Sequence, residues 1–163
     1  MDIRDGPLGC LFFLPRRKMR TRPAQAQDEA TITAMVRGAH LNPIDLRWQR
    51  FLVAEDETGI VGVIQIRPHD RASELASLVV REDQRGRGVG SQLIQTLIAQ
   101  SPRTLYLFCR PQLKDYYARF GFRAIGVQEA PPSLRVRYAI GRIITRLILG
   151  RPVLMMKRTS EDA

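Results

Sequence analysis

Residues 74–100 read ELASLVVREDQRGRGVGSQLIQTLIAQ, and three patterns follow one another along them. Glu74 to Val80 carries the apolar run Leu78, Val79, Val80 and reads as a strand. Arg81 to Arg87 is charged and reads as a turn. Gly88 to Gln100 sets Val89, Leu93, Leu97 and Ile98 on one face at helical spacing. The turn brings Gly86, Gly88 and Gly90 to the start of that helix, with Arg85 and Arg87 between and before them. The first amides of a helix have no partner within it, and the helix dipole makes that end positive. Glycine lets a ligand come close to the main chain. The backbone from Gly86 to Ser91 therefore reads as a cradle for phosphate, most naturally a pyrophosphate.

Two familiar phosphate loops are excluded. A Walker loop needs Gly-Lys followed by Ser or Thr, and no lysine stands here. A dinucleotide fingerprint needs G-x-G-x-x-G, whereas the glycines fall at 86, 88 and 90. The plain alternative is an ordinary strand–turn–helix connection with a Gly-rich turn.

The stretch resembles the acetyl-CoA-binding motif of the GNAT superfamily of N-acetyltransferases, Q/R-x-x-G-x-G/A between a strand and a helix. Arg85, Gly88 and Gly90 meet it, and the flanking Leu-Val-Val strand and Gly-Ser-x-Leu helix start match as well. A later Tyr-x-x-x-Gly-Phe, beginning at Tyr117, follows in family order. The resemblance runs from about Thr21 to Phe122, and more loosely to Lys157. It implies an α/β (α+β) fold with a mostly antiparallel central sheet of six or seven strands flanked by helices.

Composition fits that expectation without proving it. The chain has 163 residues, enough for one domain with one core. Its apolar content of 44% and charged content of 26% are those of a globular protein. The net charge of +10 comes mostly from arginine, because Lys18, Lys114 and Lys157 are the only lysines. Such an excess favours an acidic partner: a phosphate-bearing cofactor, anionic lipid or nucleic acid. No aromatic-basic interleaving or known motif supports nucleic acid. Cys10 and Cys109 do not make a disulfide framework and suit free thiols in a reducing, cytoplasmic compartment. The two histidines and two cysteines lack metal-site spacing, so no metal is expected.

Residues 1–18 read as an N-terminal arm outside a domain of residues 19–163. Its apolar run Leu8 to Leu14 is too short to span a bilayer, and Arg16-Arg17-Lys18 follows it rather than preceding it, the reverse of a signal peptide. The arm packs on the domain or on a second subunit, or touches a membrane surface. Met19 to Ala24 reads as the first strand. Asp28 is a helix N-cap before Ala30, Ile32, Ala34, Met35 and Val36, and Asn42-Pro43 breaks that helix. Asp45 caps a short helix with Trp48, which is a core anchor or a pocket wall. Phe51 to Glu55 and Ile60 to Arg67 form a hairpin. His69 reads as a solvated turn residue without a role.

Thr104 to Cys109 reads as a strand buried on both faces, Lys114 to Phe120 as a short helix closed by Gly121, and Phe122 to Val127 as a strand. Pro131-Pro132 is a break. Leu134 to Leu149 is a basic amphipathic helix, with Val136, Ile140, Ile143, Ile144, Leu147 and Ile148 on one face and Arg135, Arg142 and Arg146 on another. It packs on its own sheet, or docks on an anionic membrane or acidic partner. Val153 to Lys157 reads as the last strand, and Thr159 to Ala163 as a frayed tail.

The resemblance implies acetyl transfer from acetyl-CoA to an amine. Arg85, Gly86, Arg87, Gly88, Val89, Gly90 and Ser91 would hold the pyrophosphate. Leu78, Val79 and Val80 would offer backbone to the pantetheine arm, and a main-chain donor there can polarise the thioester carbonyl. Tyr117 would be the general acid for the leaving thiolate, with Tyr116, about 100° away on a helix, as its neighbouring alternative. The plain reading of Tyr117 is a core tyrosine. Glu74 would be a general base, with a strand-edge surface glutamate as its plain reading. Cys109 near the strand end is better read as a buried thiol.

One subfamily is disfavoured. Members acetylating ribosomal-protein N-termini commonly carry a glutamate in the strand at 104–109 and an asparagine before the tyrosine helix, and both are missing here. The acceptor amine, of a small molecule or a protein, stays open, as does a homodimer. The reading from a different class is a catalytically weak acyl-CoA-binding module that docks through the basic helix and apolar arm.

Overall fold

The strands at Phe51–Asp56, Gly59–Pro68 and Thr104–Cys109 are drawn from segments rich in β-branched and aromatic residues, and pairing places the apolar sides of the sheet on two buried faces. In this computed structural model residues 19–41, 45–69, 72–139 and 152–159 are described. The strands are β1 (Arg20–Pro23), β2 (Phe51–Asp56), β3 (Gly59–Pro68), β4 (Ala72–Val80), β5 (Thr104–Cys109), β6 (Arg123–Ala124) and β7 (Leu154–Arg158). The helices are α1 (Glu29–Gly38), α2 (Val89–Gln100) and α3 (Lys114–Ala118), and residues 132–139 are also helical. One seven-stranded sheet runs in the order β1-β2-β3-β4-β5-β7-β6. All pairs are antiparallel except β4 with β5, which α2 joins as a crossover.

The two faces carry different cores. Leu52, Ile64, Leu75, Leu105, Leu107 and Met156 meet Val89, Leu93, Ile94 and Leu97 of α2 together with Tyr117. On the other face Phe51, Val53, Val63 and Val79 meet Ile32 and Val36 of α1. Further along that second face, Ala72, Tyr106 and Met155 meet Leu134. Gly62 on β3 admits α2: a Cβ there would stand 2.7 Å from Val89 Cγ1 and 3.1 Å from Leu93 Cδ1. Its missing side chain therefore sets how deeply the first turns of α2 sit on the sheet.

Several local expectations are corrected. Asp28 precedes α1 but does not cap it with its side chain. Its carboxylate instead accepts from the Gln25 amide at 2.8 Å and from Arg22 Nη1 at 2.7 Å, closing the turn before the helix. Asp45 caps nothing: the short 3-10 turn Trp48–Arg50 starts after Arg47. Trp48 is half-buried against the α1-side core, as an anchor. The strand expected at Phe122 to Val127 shrinks to Arg123–Ala124, because Val127–Glu129 turns as a 3-10 helix. Gly121 does close α3, at φ +82°. Pro131-Pro132 does separate two elements, with Pro132 itself opening the second, in keeping with proline's fit to a first turn. Val136, assigned to the apolar face, is 61% exposed, whereas Leu134 is fully buried. The rest of the proposed amphipathic helix, the arm at 1–18, the Asn42-Pro43 break and most of the tail lie outside the described residues. No helix of the described residues is long and apolar enough to cross a membrane.

Candidate functional site

β4 changes partner halfway along its length. Its parallel register with β5 runs from Ala72↔Thr104 to Leu75↔Leu107 and then stops. β5 continues on its other side with β7 as far as Cys109↔Leu154. From Ala76 to Val80 the β5-facing edge of β4 is thus released, and a slit opens between the strands.

A β-bulge directs this departure. Val63 pairs with Val79 and Gln65 with Ala76, so Ser77 and Leu78 together face Ile64. Ser77 takes φ +48°, an uncommon conformation for a residue with a side chain. Its hydroxyl donates to Gln65 Oε1 at 3.2 Å, and Gln65 Nε2 donates to the Asp45 carbonyl at 2.7 Å. Gln65 is fully buried. No sequence pattern marks this bulge.

The slit points at the start of α2. Gly86 and Gly88 have φ +75° and +84°, and Gly88 is the N-cap. The first helical bond beyond the cap joins the Gln92 amide to the Gly88 carbonyl at 3.0 Å, so the amides of Gly88, Val89, Gly90 and Ser91 precede it. Arg81 holds the preceding turn: its Nε reaches Asp83 at 2.6 Å and its Nη2 reaches Thr58 Oγ1 at 3.0 Å. Arg85 and Arg87 are exposed, and Arg85 is 3.8 Å from Glu82. Leu78 and Val80 pack toward the α2 side, and Val79 toward α1. These free amides and left-handed glycines fit a pyrophosphate, and the released β4 edge fits an amide-bearing chain that ends in the slit.

Tyr116 and Tyr117 stand at the same end and differ in setting. Tyr117 is buried in the α2-side core, with Phe122 edge-on at 6.1 Å. Burial, with Cys109 and Tyr116 adding to it, pushes its phenol well above the usual tyrosine range. Tyr116 is only partly buried. Its hydroxyl would lie 2.9 Å from a Cβ on Gly90, with Val80 and Leu78 also close to that point, and Arg119 lies over its ring at 4.8 Å. Cys109 is buried, and burial raises its thiol to about 11.

Glu74 is not the surface glutamate of the plain reading; it is 3% exposed. It faces the α1 side of the sheet, one alternation before Ala76, about 7 Å along the strand from where the slit begins. Its Oε1 is 3.5 Å from Arg67 Nη1. Its Oε2 is 3.3 Å from His69 Nε2 and 3.6 Å from Arg137 Nε. The His69 side chain is only 13% exposed, so it is not the solvated turn residue expected. Arg67, Arg137 and His69 carried no motif. Arg67 meets Glu74 through the β3–β4 register, and Arg137 reaches it from a helix more than sixty residues away. Among the described residues no group of three or more metal-type ligands occurs.

Comparison with known proteins agrees with this geometry. The family model described as "Acetyltransferase (GNAT) domain" matches residues 47–124. No curated protein matches the sequence. N-acetylglutamate synthase from Neisseria gonorrhoeae, solved with coenzyme A and N-acetyl-glutamate, is similar over 86% of this chain at 18% identity and a TM-score of 0.73. The chain spans only 35% of that protein's length. An acyl-CoA N-acyltransferase from Pseudomonas aeruginosa superposes with a TM-score of 0.64 at 15% identity, over 88% of this chain and 99% of its own. A GNAT family acetyltransferase from Brucella melitensis, in complex with acetyl-CoA, is 25% identical over 66% of this chain and 84% of its own, with a TM-score of 0.55. The match covers the hairpin, the bulged strand, the glycine turn and the tyrosine helix, and over residues 47–124 the chain is similar to the acetyltransferase domain of the GNAT family.

Proposed function

We propose that the protein is an acetyl-CoA-dependent N-acetyltransferase that acts on a primary amine. The observation that carries this reading is the slit between β4 and β5, which opens past Leu75↔Leu107 toward the unpaired amides of the α2 start. The amides of Gly88 to Ser91 bind the pyrophosphate, the β4 edge beyond Ala76 binds the pantetheine amides, and the slit receives the thioester. Related structures solved with coenzyme A or acetyl-CoA support the choice of cosubstrate.

The residues then divide the proton work. A main-chain N–H on β4 polarises the thioester carbonyl while the amine nitrogen bonds to the acetyl carbon. Tyr117, or Tyr116 beside it, gives its proton to the sulfur as the carbon–sulfur bond breaks. Glu74, through water, takes the proton lost by the nitrogen. The high pKa of Tyr117 keeps it protonated at neutral pH, as a proton donor must be.

Titration calorimetry with acetyl-CoA and with free CoA tests the cosubstrate. Micromolar binding that Gly88→Val abolishes is expected, since a β-branched residue does not suit φ +84°. Release of free thiol on adding an amine then tests transfer. No binding of either compound would overturn the reading.

A further inference from the structure

The arginines beside Glu74 and Asp45 bear on the acceptor. The α1-side face of the sheet is covered by α1 on one flank and by residues 132–139 on the other. Between them β3 and β4 lay down Gln65, Arg67, Glu74 and Ala76, cross-paired as Gln65↔Ala76 and Arg67↔Glu74. One side of this strip carries Asp45 with Arg47 at 3.0 Å and Arg50 at 2.6 Å. The other carries Arg137, whose side chain is 40% exposed. Glu74, Asp45, Arg137 and Arg50 all lie close enough to act electrostatically on Arg67.

The strip is therefore cationic beside the slit. Among the described residues, four guanidiniums, of Arg47, Arg50, Arg67 and Arg137, stand against two carboxylates, of Asp45 and Glu74. Arg67 is 5% exposed, a placement that long cationic side chains rarely take. A free amine is itself a cation before it loses its proton. A polyamine or a simple alkylamine would meet net repulsion here, whereas an amine that also bears a carboxylate would present its anionic end to the guanidiniums.

From this we infer that the acceptor is an amine carrying a carboxylate, of the amino-acid type, whose anionic group is recognised by Arg137 and Arg67. The inference rests on the acetyltransferase reading and names the substrate class of that site. Glu74 lies between the two guanidiniums, 3.5 Å from Arg67 Nη1 and 3.6 Å from Arg137 Nε, and its position near Ala76 leaves the amine nitrogen next to the slit. Free amino acids and short acidic peptides share this chemistry.

The test is thiol release from acetyl-CoA with paired acceptors: glutamate and its diamide, glycine and glycinamide, an acidic tripeptide and its amidated form, and spermidine. The carboxylates are expected to exceed their amides at least about tenfold in kcat/KM, as a site built for a polar group rejects analogues that lack it. The free amino acid and peptide arms identify which source is used. Arg137→Gln is expected to raise KM for the carboxylate acceptors about tenfold while the calorimetric Kd for acetyl-CoA stays as in the wild type. Arg67→Lys, which keeps the buried charge, is expected to shift the same KM. Amides or spermidine turning over as well as the carboxylates would overturn the inference and leave the acetyltransferase reading standing. Absence of acetyl-CoA binding would overturn both.

Discussion

The Tyr116 hydroxyl occupies the space that a side chain on Gly90 would enter, 2.9 Å from the Cβ position. Helix and tyrosine thus share the wall where the slit meets the glycine turn. Gly90→Ala would displace the ring and narrow that entrance. The expected result is about tenfold weaker acetyl-CoA binding by calorimetry, about 1.4 kcal/mol. The thermal midpoint should change little, because alanine suits a helix better than glycine.

The two tyrosines should separate in kinetics. Tyr117→Phe removes only the oxygen from a ring packed against Phe122. If that hydroxyl protonates the sulfur, kcat falls by about 100-fold or more while acetyl-CoA affinity holds. Tyr116→Phe should instead act on acetyl-CoA affinity, with kcat within a few-fold. The reverse pattern would assign the acid to Tyr116.

Alkaline pH should destabilise the fold through Cys109. Burial raises its thiol to about 11, while an unfolded cysteine titrates near 8.5. The folded state keeps a proton that the unfolded chain gives up, so the stabilisation is complete below the unfolded value and is lost as pH rises toward 11. Burial acts in the same direction on Tyr106 and Tyr117. Urea midpoints should decline from pH 8 to 10.5. Cys109→Ala should start lower, from its cavity, and decline less steeply. Parallel declines would show that Cys109 does not contribute.

Acid should act through Arg22. Its guanidinium bonds Asp28 at 2.7 Å and Glu55 at 2.8 Å, tying the turn before α1 to β1 and β2. The Arg22 hydrogen bond holds the Asp28 carboxyl below its usual range. This stabilisation is present above the pKa of an unfolded aspartate and is lost as pH falls through the lower folded value. Arg22→Ala, which strands a carboxylate only 7% exposed, should cost about 3 kcal/mol in urea unfolding at pH 7. At pH 2 the gap from the wild type should narrow.

The strand–turn–helix at residues 74–100 was legible because its signals are local: an apolar run, clustered glycines and a 3.6-residue repeat. The hairpin of β2 and β3 and the closure of α3 by Gly121 were legible for the same reason. The bulge was not, since Ser77 has no turn-forming glycine and its geometry depends on Ile64 across the strands. Nor was the setting of Glu74. Its partners come from β3, from the β3–β4 turn and from the helix at 132–139, and only strand register and packing bring them together. Asp28 and Asp45 match the cap preference but do not cap, because nearby arginines, Arg22 for the one and Arg47 and Arg50 for the other, claim both carboxylates.

The slit between β4 and β5 also bears on the order of events. A gap between neighbouring strands is bounded by both faces of the sheet. A cosubstrate held over α2 and an amine arriving from the α1 side need not displace each other. Nor does the slit offer an obvious way station for the acetyl group, because the Cys109 thiol at its end stays protonated at neutral pH and is a poor nucleophile. On the proposed acetyltransferase reading, direct transfer within a ternary complex is the expected route, and initial-rate lines at several fixed amine concentrations should intersect rather than run parallel.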